Sequence, residues 1–149
     1  MLLQGVSASA AEVIVGETKP RLVPTLQHLR DLCGGSVSYD ACTRFVAYRL
    51  TASCAPDGEK WRAHTSATFT PWIALWNMHQ LAHELDHVAD IRQFVMDRLN
   101  TIEASVFDAQ ADCEQRTIVE QKSFEQTLRD AAMKSNALRH PFAYGRLAR

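Results

Sequence analysis

His83, Glu84 and His87 stand in the order H-E-x-x-H. On a helix, side chains four residues apart lie one above the other, roughly 6 Å apart, so two imidazoles can grip a single metal ion. A glutamate between them lies beside that ion, where its carboxylate can take a proton from a water. This is the zinc-hydrolase arrangement, with His83 and His87 as candidate ligands and Glu84 as candidate general base.

The flanking residues predict a helix. Thr70-Pro71 reads as its start, with threonine as cap and proline at the first helical position, and no glycine or proline follows until Pro141. Projected at about 100° per residue, Ile73, Met78, Leu81, Leu85, Val88, Ile91, Val95 and Leu99 fill one apolar arc. His83 and His87 fall opposite Leu85, on a second stripe with Trp72, Trp76, His79, Asp90 and Phe94. Aromatic residues at the ends of that stripe predict a bounded site.

A catalytic zinc needs a third protein ligand and an open position. Asp90 shares the histidine face but lies about 10 Å along the axis from His83, since each residue rises about 1.5 Å. It suits a hydrogen bond to the far nitrogen of His87 better than a place on the metal. His79 with His83 would form a competing pair rather than an addition. Five candidates stay open: Glu103, which a capping role also explains; Asp108 and Asp112, on a helix expected to pass the motif near Glu114; His64; and His140, which needs a chain reversal to reach back.

The elements that must position these residues read as follows. Glu12 to Gly16 is a short β-rich run, and Thr25 to Cys33 a short amphipathic helix closed by Gly34-Gly35. His28 on that helix has no chemical company. Thr43 to Ser53 reads as a strand, Ala55-Pro56-Asp57-Gly58 as a turn, and Lys60 to Thr70 as a second strand. In the second strand Trp61, Ala63, Thr65, Ala67 and Phe69 share one face, with Arg62, His64, Ser66 and Thr68 on the other. Asn100, with Glu103 three residues on, looks like a new helix start, and an apolar seam from Ile102 continues to Leu128. The second helical arm is expected over about residues 101–134, with Glu–Lys/Arg pairs on a solvated face. The expected fold is α+β: a small antiparallel sheet, made of a hairpin over about 43–70 and an N-terminal strand, packed on a long α-helical hairpin that carries the motif.

The 149 residues, 46% hydrophobic and 22% charged, describe one globular domain over 1–149, with 1–10 a flexible terminus or the remnant of an export signal. Ala8-Ser9-Ala10 has the small-x-small form of a cleavage site. The net charge of -1 and the lack of a basic block argue against nucleic acid as a partner. No apolar run approaches the roughly 18–20 residues that span a bilayer. Cys33, Cys42, Cys54 and Cys113 lack zinc-knuckle spacing, and their even number suits two disulfides in an oxidising compartment. Cys113 is expected to tie the helical arm back to the sheet region through an earlier cysteine.

Thr70-Pro71-Trp72, Trp76, His83-Glu84-x-x-His87 and Asp90-Ile91, after a strand pair, together resemble a bacterial family described as predicted secreted zinc-dependent proteases. The similarity runs from about Tyr39 to His140. Cys54 and Cys113 fit the family's two cysteine positions, and His140 falls near its final histidine. That terminal pattern is a Tyr-Asp pair, a threonine, then His-Gly; here Lys134-Ser135 replaces the pair and Pro141 the glycine. The resemblance implies a secreted or periplasmic zincin-like metallopeptidase with one zinc per chain, His140 as third ligand, and a peptide or protein as substrate. A strand such as Lys60 to Thr70 would align the peptide by β-augmentation, and Tyr144 is available to the oxyanion. Two other readings compete: a non-catalytic metal-binding or interaction module that retains the motif, and a metal-free helical domain.

Overall fold

The computed structural model describes residues 11–34 and 41–140. Ala8-Ser9-Ala10 and the C-terminal stretch with Tyr144 lie outside these residues. The sheet is built on an antiparallel hairpin of β3 (Ala41–Asp57) and β4 (Lys60–Leu75), paired over their whole length. Gly58 opens the connecting loop at φ 63°, a left-handed conformation that glycine adopts without steric cost. Pro56 stays in β3 because an edge strand tolerates a missing N–H.

β3 occupies one edge of β4 from end to end. The opposite edge carries β5 (Val106–Phe107) at Trp61–Arg62, β1 (Glu12–Val15) at Ser66–Phe69 and β2 (Arg21–Leu22) at Ala74–Leu75. β1 and β2 run parallel to β4, so the antiparallel sheet expected from sequence is corrected to a mixed one. The reason is α1 (Leu26–Cys33), which lies between β2 and β3 and lets the chain reverse before the hairpin begins. Lys60 to Thr70 is therefore central, not the edge strand expected to receive a peptide. That edge belongs to β3.

Thr70-Pro71 does not start the motif helix either; the strand continues through it to Leu75. The register of β3 shifts between Phe45 and Ala47, opposite Pro71 and Thr70, and a bulge is where a sheet accepts proline. Trp72 and Ile73 favour the strand beyond it. Asn77 then caps a 3-10 turn, Met78–Gln80, and α2 runs from Leu81 to Ala104. Trp72 packs with Val23, Leu29 and Ala74 against α1, and Trp76 is exposed, so neither covers the histidine stripe.

Alternation along β4 sends Ala63, Ala67, Phe69, Ile73 and Leu75 to one face, and all five are buried. On that face lies α2, whose buried stripe is Glu84, Val88, Ile91, Val95, Leu99 and Ile102, with His87 beside it. Met78 and Leu85, assigned to the apolar arc from sequence, are exposed; the arc is rotated toward the histidines. Asn100 lies inside α2, so no helix starts there, and Glu103 accepts a hydrogen bond from Thr65 instead of capping.

The single returning arm resolves into β5, α3 (Gln110–Lys122) and α4 (Phe124–Arg139). α3 crosses β3 and is bonded to it by Cys54–Cys113, while Cys33–Cys42 joins α1 to the start of β3. Glu120 departs from the solvated-face reading: it is buried, and Arg98 of α2 and Arg116 both donate to it. It is α4, not a segment near Glu114, that passes the motif. No helix among the described residues is long and apolar enough to cross a membrane.

Candidate metal centre

Position along α2 decides which residues can meet. Glu84 and His87 sit at the N-terminal end of the buried stripe, and His83 stands one turn before His87 on the flank facing α4. α4 ends at Arg139, and His140 is its C-cap, with its backbone N–H on the carbonyl of Asn136. The chain reversal that His140 needed is made by the α3–α4 corner at Ser123.

The three imidazoles converge through their Nε2 atoms. His83 and His140 are 3.0 Å apart, His83 and His87 3.1 Å, and His87 and His140 3.2 Å. A four-coordinate zinc with Zn–N of about 2.0–2.1 Å separates its ligand nitrogens by about 3.3 Å, so the spacing fits a metal of this kind. These three residues form the group that could hold a metal ion among the described residues.

The protonation pattern also fits. Ser135, fully buried on α4, donates its hydroxyl hydrogen to Asp90 Oδ2 at 2.8 Å. A hydroxyl has one hydrogen, so at 2.7 Å Ser135 Oγ accepts from His87 Nδ1–H. His87 Nε2 is then bare and aimed at the other two rings. One ring proton can serve only one nitrogen–nitrogen contact at a time, whereas a cation among the three serves them all. Burial, with His83, His140 and Arg139 nearby, pushes His87 down to about 4 against the pull of Asp90. Burial also lowers His140. Neutral imidazole is the ligand form.

Asp90 was expected to reach His87 directly. It does so through Ser135, and is held from outside by Arg139, whose Nε and Nη2 grip its two oxygens at 2.6 and 2.7 Å. The Arg139 guanidinium keeps the Asp90 carboxyl below its ordinary range. Arg139 Nη1 also reaches Asp86 at 3.4 Å, so the end of α4 is clamped onto α2 where the histidines meet.

Glu84 is buried beside this cluster and accepts a hydrogen bond from Thr43 of β3 at Oε2, 2.5 Å away. Burial raises its carboxyl above the usual range, opposed by the Thr43 bond and by His83. Its other oxygen makes no hydrogen bond among the described residues.

The other ligand candidates are elsewhere. Glu103 is sixteen residues beyond His87, about 24 Å along the helix, where it meets Thr65 and lies 3.9 Å from His64. Asp108 pairs with Lys60, and Asp112 sits in the first turn of α3. His79 remains in the 3-10 turn, outside the cluster. Thr43, Ser135 and Arg139 carried no sequence signal of their own, although Ser135 stood at a departure from the resembled terminal pattern. No family model matches the chain, and comparisons with curated proteins and with solved structures find no match either.

Proposed function

We propose that this protein is a zinc-dependent peptidase of zincin type, acting in a secreted or periplasmic setting. The observation that carries the reading is the convergence of three imidazole Nε2 atoms beside a buried, hydrogen-bonded glutamate. His83, His87 and His140 hold the metal through Nε2. Bound there, zinc would supply Lewis acidity for peptide-bond hydrolysis. Glu84, oriented by Thr43 at Oε2, takes the proton of the attacking water at Oε1 as oxygen adds to the carbonyl carbon. It returns that proton to the amine as the carbon–nitrogen bond breaks. A carboxyl raised by burial is suited to hold a proton between the two steps. β3, which carries Thr43 and pairs with β4 alone among the described residues, is the strand along which an extended substrate pairs. The two disulfides support an oxidising compartment.

A structural metal clamp is the second reading, favoured by the way His140 ties the end of α4 to α2. Metal analysis and turnover separate the two. Purified wild type should carry one zinc per chain, His83→Ala should lose it, and Glu84→Gln should retain it. Cleavage of a degenerate peptide library should fall at least about 100-fold in Glu84→Gln. Unchanged cleavage in that variant would remove the peptidase reading, and retained zinc without any cleavage in wild type would leave the clamp.

A further inference from the structure

Next to Thr43, between β3 and α4, lies a cavity of about 400 Å³. Thr43, Arg44 and Phe45 line it in succession. Alternate side chains of a strand point to opposite faces, so a cavity touching three consecutive residues lies against the strand's edge. Its apolar wall is Leu128 and Ala132 of α4, and Thr43, which lines it, is the residue that orients Glu84. Two of its charged groups are satisfied by each other: Arg129 donates to Glu125 at 2.6 Å. Arg44 is different. It is exposed, and among the described residues its side chain makes no hydrogen bond or ion pair. Among the described residues that line this largely apolar recess, Arg44 is the one charged residue whose side chain is unpaired, and a guanidinium at its rim matches a group with an aliphatic stem and a carboxylate end.

We propose that this cavity is a subsite for a carboxylate-bearing residue of the substrate peptide, and that Arg44 selects it. The inference rests on the peptidase reading for the direction of the chain along β3, but its test does not. Immobilised Glu84→Gln protein is offered degenerate peptide pools that differ at one fixed position, Glu, Gln or Lys. Each pool is supplied with a free and with an amidated C-terminus, and retention is quantified by mass spectrometry.

The Glu pool should be retained about tenfold better than the Lys pool, the scale of one charge-assisted hydrogen bond. Adding Arg44→Gln should bring the ratio to about one, while Arg49→Gln, on the same strand but off the cavity, should leave it unchanged. A preference that follows the free C-terminus instead of the fixed residue would assign the same pocket to a terminal carboxylate. Equal retention of all pools, no retention, or a preference that survives Arg44→Gln overturns the proposal. Selective binding with no turnover in wild type would remove the peptidase reading and leave the pocket. Turnover with no charge preference would do the reverse.

Discussion

The bond between Ser135 and His87 determines which nitrogen of the imidazole carries the proton. Without it, His87 can place its hydrogen on Nε2 and close the nitrogen that faces His83 and His140. Ser135→Ala should therefore weaken zinc binding about 10- to 100-fold, measured by competition with a chromophoric chelator. The Asp90–Arg139 pair survives that change, so far-UV circular dichroism should not move. An unchanged zinc affinity would show that the relay does not orient the ring. His83, Glu84 and His87 were legible because their relation is a spacing within one helix. Ser135 and Thr43 were not, because their partners lie 48 and 41 residues away and no local pattern announces the contact.

Each disulfide joins a helix to β3, but the loops they close differ greatly: 9 residues for Cys33–Cys42 and 59 for Cys54–Cys113. Cross-linking limits the unfolded chain more when the loop is longer. Replacing Cys54 and Cys113 by serine should cost about 4 kcal/mol in urea unfolding, against about 2.5 kcal/mol for Cys33 and Cys42. Equal losses would mean that loop entropy does not set their contribution. The face alternation of Lys60 to Thr70 was readable because burial follows the strand period. The start of the motif helix was misread for a physical reason. Thr-Pro is a good helix opening in isolation, and only the bulge opposite Pro71 reveals that a strand can hold it. The same holds for Asn100 and Glu103, a capping pair by local grammar that the unbroken core stripe of α2 overrides.

At the scale of the molecule, the site joins α2 to the end of α4, and its ionisation is linked to folding. His87 has a folded pKa of about 4, below the ordinary 6.5, so the unfolded chain binds more protons between those values. Its contribution to the metal-free protein is present above pH 6.5 and is lost as pH falls towards 4. Glu84 acts with the opposite sign, since a raised carboxyl favours the fold at low pH and loses that contribution as pH rises. The two are separated by comparing chelator-treated wild type with His87→Asn. The melting temperature of wild type should drop more steeply from pH 6.5 to 4 than that of the variant. Parallel curves would contradict a buried, neutral His87.

What the sequence determined alone was whatever depends on short range: the H-E-x-x-H spacing, the hairpin with its alternating strand, the short helix that ends at Cys33 and the even set of cysteines. These follow from helix and strand periods, which act over a few residues. Tertiary structure decided the rest. It placed β4 at the centre with β1 and β2 parallel to it, turned α2 so that Glu84 and His87 face inward, and brought His140 to the pair from 53 residues beyond His87. Those outcomes depend on how apolar faces are shared among sheet, α2 and α4. No segment carries that information by itself.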